Sequence, residues 1–185
     1  MVKIPISLFE DRLARWAAGS GRHRRFDSIM IAASNPYQWI WAVVLFFAVL
    51  IYFDWRDGLA AMAIGSAAAG LSDAINSKLI KKHTDRWRPS KTIREIKPLG
   101  IMNSGKKSFP SNHATNTAAF AASVGIYFPF LLWFFIPLTL LVGYSRLYCG
   151  AHYLLDVVVG WLHGASWAVV FYFLLESTLR LFEQL

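Results

Sequence analysis

Tyr37 to Phe53 reads YQWIWAVVLFFAVLIYF, with no charged side chain anywhere in it. A helix crossing the hydrocarbon core of a bilayer needs about 20 apolar residues, and somewhat shorter stretches suffice. A second uncharged run, FLLWFFIPLTLLVGY, covers Phe130 to Tyr144. Of the 185 residues 56% are hydrophobic and only 16% are charged, an apolar share above that of soluble domains. These features predict an all-α integral membrane helical bundle rather than a soluble enzyme. The length predicts a single domain over 1–185.

Working outward from the first run, five transmembrane spans are expected, at about 37–53, 58–80, 111–128, 130–147 and 152–175. The second is rich in Gly, Ala and Ser, which let membrane helices approach closely. Pro129 punctuates the turn between the third and fourth, and Pro137 predicts a kink in the fourth. The eight Trp and many of the Phe suit an interface belt and a lipid-facing surface.

Residues 1–35 form an amphipathic segment. Ile6, Leu8, Phe9, Leu13, Trp16 and Ala17 fall near one helical face, with Glu10, Asp11 and Arg15 elsewhere, as in a helix lying on the membrane surface. The first 28 residues lack the apolar core of a cleavable signal peptide. The single cysteine, Cys149, excludes an intrachain disulfide framework.

The net charge of +8 is localised. Residues 81–107 carry nine Lys or Arg against Asp85 and Glu95, and residues 1–28 carry six against three acids. Such stretches suit contact with an anionic lipid bilayer or an anion-binding loop. With five spans, the end of the second, the start of the third and the turn between the fourth and fifth lie on one side of the membrane. All three places hold unusual polar residues.

The first reads KLIKKHTDRWRPS. Lys81 and Arg88 are seven residues apart, two turns of a helix, with Asp85 expected on the same face. The second reads Phe109-Pro110-Ser111-Asn112-His113. Ser111 suits a helix N-cap, and a helix N-terminus offers free N–H groups and a positive dipole end to an anion. His113 in the first turn is a proton donor titrating near neutrality. In the third, His152 and Asp156 stand at i,i+4 at the head of the fifth span, so the carboxylate can orient the imidazole as a nucleophile. An acid inside a membrane span is costly and points to function. Two histidines with separable roles, several cations and a helix N-terminus are what phosphoryl transfer requires. No His or Cys spacing suggests a metal cluster. Asp73 and His163, both within spans, are expected to be structural.

The pattern Lys81-x6-Arg88-Pro89, Pro110-Ser111-Asn112-His113 and Ser145-Arg146-x5-His152-x3-Asp156 resembles the three-part signature of the type 2 phosphatidic acid phosphatases. Their superfamily includes vanadium haloperoxidases and bacterial acid phosphatases. The resemblance implies that His152 attacks phosphorus to form a phosphohistidine and that Asp156 orients it. His113 would protonate the leaving oxygen, while Lys81, Arg88, Ser111 and Arg146 hold the phosphate with the backbone N–H groups of Asn112 and His113. It implies no metal or other cofactor. One departure stands out: the family has Gly where this chain has Asn112.

The implied activity is removal of phosphate from a lipid headgroup by a compact bacterial enzyme. Candidate substrates are lipid A 1-phosphate, undecaprenyl pyrophosphate, phosphatidylglycerophosphate and phosphatidic acid. The basic loop within 81–110 could favour a large anionic headgroup. Nucleic acid is not an expected partner. A lipid phosphotransferase using the same phosphohistidine, or a non-enzymatic transport or scaffold protein, are the competing readings. The active side carries all Lys and Arg except Arg56 and Arg180, which by the positive-inside rule would make it cytoplasmic. The resemblance instead implies the extracytoplasmic face of the inner membrane. That reading is preferred because several of these cations have a binding role.

Overall fold

A computed structural model describes residues 1–100 and 105–184. The chain runs through α1 (Leu8–Arg15), α2 (Arg24–Ser34), α3 (Ile40–Phe53), α4 (Trp55–Ile75), α5 (Lys81–His83), α6 (Pro89–Thr92), α7 (Asn112–Tyr127), α8 (Leu132–Tyr148) and α9 (Leu154–Glu183). Among the described residues there are no strands, only isolated bridges of Val2 with Thr84 and of Trp87 with Lys107. The molecule is an integral membrane helical bundle.

Among the described residues, three segments are long and apolar enough to cross a membrane: Trp55–His83, Pro129–Tyr148 and Leu154–Glu183. The other two expected spans correspond to the 14-residue α3 and the 16-residue α7. The last helix continues to Glu183, well beyond the expected end near 175, and α8 continues through Pro137. A π-helical turn, Asn76–Ile80, joins α4 to α5 without interrupting the long helix.

α7 is the central post, packed on α9 and α4. Small residues make this possible. A Cβ on Gly164 would come within 2.0 Å of the Thr115 carbonyl oxygen, and one on Gly160 within 2.7 Å of the Ser111 carbonyl oxygen. Close approach therefore fixes how the head of α7 sits against α9. Polar groups in the same seam are connected. Trp167 Nε1 donates to His163 Nε2 at 2.9 Å, and His163 Nδ1 meets Asn76 Oδ1 at 2.9 Å. Asn76 Nδ2 donates to Thr115 Oγ1 at 3.1 Å, and that hydroxyl donates to the Ser111 carbonyl at 2.9 Å. Indole can only donate, so His163 carries its proton on Nδ1 and every group in the chain has one direction. His163 thus has hydrogen-bond partners on both ring nitrogens inside the bundle. Its apolar surroundings make each of these bonds costly to lose.

The N-terminal segment buries a face that the sequence did not indicate. α1 forms at the expected place, with a capping box between Ser7 and Glu10. The face it buries, however, holds Glu10, Ala14, Ala17 and Ala18, while Leu8, Phe9 and Trp16 are exposed. Small residues let α1 dock closely on the bundle, and Glu10 goes inward because buried partners await it. The exposed apolar residues remain suited to a membrane surface.

Candidate active site

The ends of the long helices meet as the topology required. Lys81, Arg88, Asn112, His113, Arg146 and His152 line one small pocket of about 100 Å³. Three separate stretches of sequence supply them.

Lys81 starts α5, immediately after the π-helical turn. The helix stops at His83, and Arg88 is instead the extended N-cap residue of α6. Lys81 and Arg88 therefore converge through the fold and not along one helical face. Thr84 is already extended and bridges to Val2, and Pro89 keeps Arg88, the residue before it, in extended backbone. The same break carries Asp85 away from Lys81. Its carboxylate pairs with Lys107 and accepts from Trp87 Nε1 at 3.0 Å.

Ser111 is the N-cap of α7, its Oγ accepting from the Ala114 N–H at 3.5 Å. Its own N–H donates to the Asp156 carbonyl at 2.9 Å, tying the heads of α7 and α9 together. Ser111 is fully buried and is not among the residues lining the pocket. Asn112, at the first position of α7, is held on three sides. Its Nδ2 donates to Asp73 Oδ1 and, at 3.0 Å, to Ser77 Oγ, while its Oδ1 accepts from Lys81 Nζ at 2.6 Å. Asp73, expected to be structural, reaches across from α4 to α7.

Arg146, 3% exposed, reaches into the pocket from the end of α8. Its Nη1 donates to the Ser34 carbonyl at 3.2 Å and to Ser34 Oγ at 2.8 Å. Ser34, Asn35, Pro36 and Tyr37 also border the pocket. No motif in the sequence indicated that α2 and the turn after it would help build the site.

The α8–α9 turn depends on Gly150, whose φ of +69° belongs to the left-handed region that glycine tolerates. That turn lets the N–H groups of Ala151 and His152 both donate to the Arg146 carbonyl, at 3.0 and 3.2 Å. His152 Nδ1 faces Asp156 Oδ2 at 3.6 Å, beyond hydrogen-bond reach. The expected pair is thus adjacent without being bonded. Asp156 is engaged elsewhere: Oδ2 accepts from the Tyr153 N–H at 2.8 Å, and Oδ1 from Arg86 Nη1 at 2.8 Å. Arg86 is a further residue that sequence reasoning missed.

Chemically, the pocket gathers three cationic side chains and two imidazoles. Buried nitrogens of His113 (Nε2), Arg146 (Nε) and His152 (Nδ1) have no hydrogen-bond partner. Burial first, then the fields of Arg146, Arg88 and Lys81, holds the His152 imidazole well below its ordinary pKa. It is therefore neutral, with a lone pair available. Such surroundings favour an anion that can accept hydrogen bonds. Of the expected loop 81–110, residues 101–104 lie outside the described residues.

A model of the PAP2 superfamily matches residues 57–178, more than half of the chain and all three motif segments. The chain belongs to that superfamily. Among curated relatives, the lipid A 4'-phosphatase of Porphyromonas gingivalis is 26% identical over 145 residues, covering 75% of this chain and 61% of that protein. Two solved structures share the fold. The transmembrane PAP2-type phosphatidylglycerolphosphate phosphatase of Bacillus subtilis aligns over 91% of this chain and 85% of its own, with a TM-score of 0.67 and 22% identity. LpxE of Aquifex aeolicus aligns over 92% and 99%, with a TM-score of 0.68 and 19% identity.

Proposed function

We propose that the protein is a membrane phosphatase that removes a phosphate from a lipid headgroup through a phosphohistidine on His152. The observation that carries this reading is the convergence of Lys81, Arg88, Arg146, His113 and His152 on one small pocket at the end of the bundle. A bilayer-anchored substrate would present its headgroup at that level.

Asp156 stands on the Nδ1 side of His152, which leaves Nε2 to attack. Nε2 forms a bond to phosphorus as the bond from phosphorus to the leaving oxygen breaks, and His113 gives that oxygen a proton. Water then attacks phosphorus, His113 takes its proton, and the P–N bond breaks to release phosphate. Lys81, Arg88 and Arg146 stabilise the charge on the equatorial oxygens, with the head of α7 contributing its N–H groups.

Lipid A is the favoured substrate class, supported by the activity named for the Porphyromonas relative. The apolar helices and the bacterial transmembrane PAP2-type neighbour support a bacterial membrane protein, and the pocket is proposed to lie on the extracytoplasmic face of the inner membrane, as the sequence resemblance implies. Purified protein, assayed in detergent with a chelator against lipid A phosphates, undecaprenyl pyrophosphate, phosphatidylglycerophosphate and phosphatidic acid, tests the reading. Phosphate release that His152→Ala abolishes is expected. Equal release by the His152→Ala variant would overturn it, and transfer to an added lipid would make the enzyme a phosphotransferase.

A further inference from the structure

Arg86 lies two residues before Arg88 but is turned into the protein, with 1% of its surface exposed. One end of its guanidinium, Nη1, donates to Asp156 Oδ1 at 2.8 Å, and Nη2 donates to Glu10 Oε1 at 2.7 Å. Glu10 Oε1 also accepts from the Leu155 N–H, in the first turn of α9, at 3.0 Å. Its Oε2 accepts from the Ser7 N–H at 3.2 Å. A carboxylate of α1 thus caps the helix that carries Asp156. The side chains of Arg86 and Asp156 are fully buried, and that of Glu10 is 9% exposed.

Charge decides what this arrangement does. Arg86 apart, the cations around the imidazole are on the pocket side: Lys81, Arg88 and Arg146, with His113 the other titratable neighbour. Among the described residues, Asp156 is the carboxylate that faces the imidazole. Bonded to Arg86 alone, Asp156 would belong to a neutral pair, and much of its field at the ring would be cancelled. Glu10 brings the buried group Glu10–Arg86–Asp156 to a net charge of −1.

We propose that Glu10 and Arg86 are positioning residues for the His152 imidazole: Arg86 fixes the Asp156 carboxylate, and Glu10 restores the negative charge that Arg86 neutralises. This rests on His152 being the nucleophile. When Nε2 bonds to phosphorus while Nδ1 keeps its proton, the ring becomes positive, and the net charge behind it offsets that. A buried ion triad is weak evidence for stability, since apolar residues can often replace one at no loss. Its value lies in the field it sets at the ring.

The test uses full-length protein in detergent, with histidine labelled for NMR and His152→Ala to assign the resonance. Glu10→Gln keeps an acceptor oxygen but removes the charge. The midpoint of His152 titration is expected to fall by about half a unit or more. The variant should lose kcat on the order of tenfold, as removing outer partners of a histidine–carboxylate pair commonly does, with KM little changed. Arg86→Gln removes the opposing charge and should move the midpoint upward. Glu10→Asp, which keeps the charge, should hold it near wild type. If one variant fails to fold, the direction given by the other decides. Midpoints that stay fixed in every folded variant, with only the melting temperature moved, would overturn the proposal. The midpoint is read without substrate, so it separates this inference from the phosphatase reading, which fails only if His152→Ala still releases phosphate.

Discussion

Asn112 Oδ1 accepts a hydrogen bond from Lys81 Nζ at 2.6 Å, so a side chain that stands where the family has glycine holds a phosphate-binding candidate by its charged end. Asn112 contributes an acceptor on one side and, through Nδ2, donors to Asp73 and Ser77 on the other.

Asn112→Asp places a carboxylate beside both Asp73 and the incoming phosphate. Phosphate release should fall on the order of 100-fold, the scale of losing one oxyanion donor. Asn112→Gly keeps the backbone N–H and should retain more activity than Asn112→Asp. Steady-state phosphate release checks both, and an Asp variant as active as wild type would remove Asn112 from the pocket wall.

Gly164→Ala drives a methyl into the Thr115 carbonyl, 2.0 Å from its Cβ position. Overpacking of this kind costs about 1–3 kcal/mol. For a chain of this size that lowers the melting temperature by roughly 2–4 °C per kcal/mol. Thermal unfolding in detergent measures it.

His163→Ala strands Asn76 Oδ1 and Trp167 Nε1 without partners. A loss of about 1–3 kcal/mol is expected. Turnover per folded molecule should stay within a few-fold of wild type; a collapse of kcat with an unchanged melting temperature would instead give His163 a role in proton transfer.

The acid limb of kcat/KM should lie below about pH 6.5, the ordinary histidine value, because His152 is held neutral by burial and the neighbouring cations. The same shift acts on stability. Between the folded and unfolded pKa values the unfolded chain binds a proton that the folded chain does not, so acid favours unfolding. Glu10 works in the same direction at lower pH. Burial alone would raise its carboxyl, but the Arg86 hydrogen bond and the Leu155 and Ser7 N–H groups outweigh burial and hold it below its ordinary value. Melting temperatures should therefore fall as pH drops through the histidine range and again through the carboxylate range, with the first step diminished in His152→Ala.

Arg94→Cys places a thiol on an exposed position of the loop that flanks the pocket, while native Cys149 is buried. Labelling of intact cells by an impermeant maleimide is expected. Labelling only after lysis would put the pocket on the cytoplasmic side.

The long helices were legible because their apolar runs are dictated by the bilayer, and the pocket residues because each sits in a short local pattern at a helix end. What the sequence hid is what depends on side chains far apart in the chain. Arg86 and Glu10 are separated by 76 residues, and each alone looks like one more charge in a polar stretch. Ser34 carries no signal at all, since a serine at a helix C-terminus is commonplace. Lys81 and Arg88 converge as expected, but a spacing of two helical turns suggested the wrong cause: the helix ends between them, at His83.

The π-helical turn at Asn76–Ile80 works as a vernier in the longest run of helix before the pocket. It holds one residue more per turn than α-helix, so everything after it is rotated by about 100° relative to a straight continuation. Asp73 below the turn and Lys81 above it can consequently both face Asn112. Straightening the turn with all its residues kept would swing Lys81 about 100° away from the pocket, whereas deleting a single residue between Asn76 and Ile80 would remove the bulge and leave Lys81 on its present face.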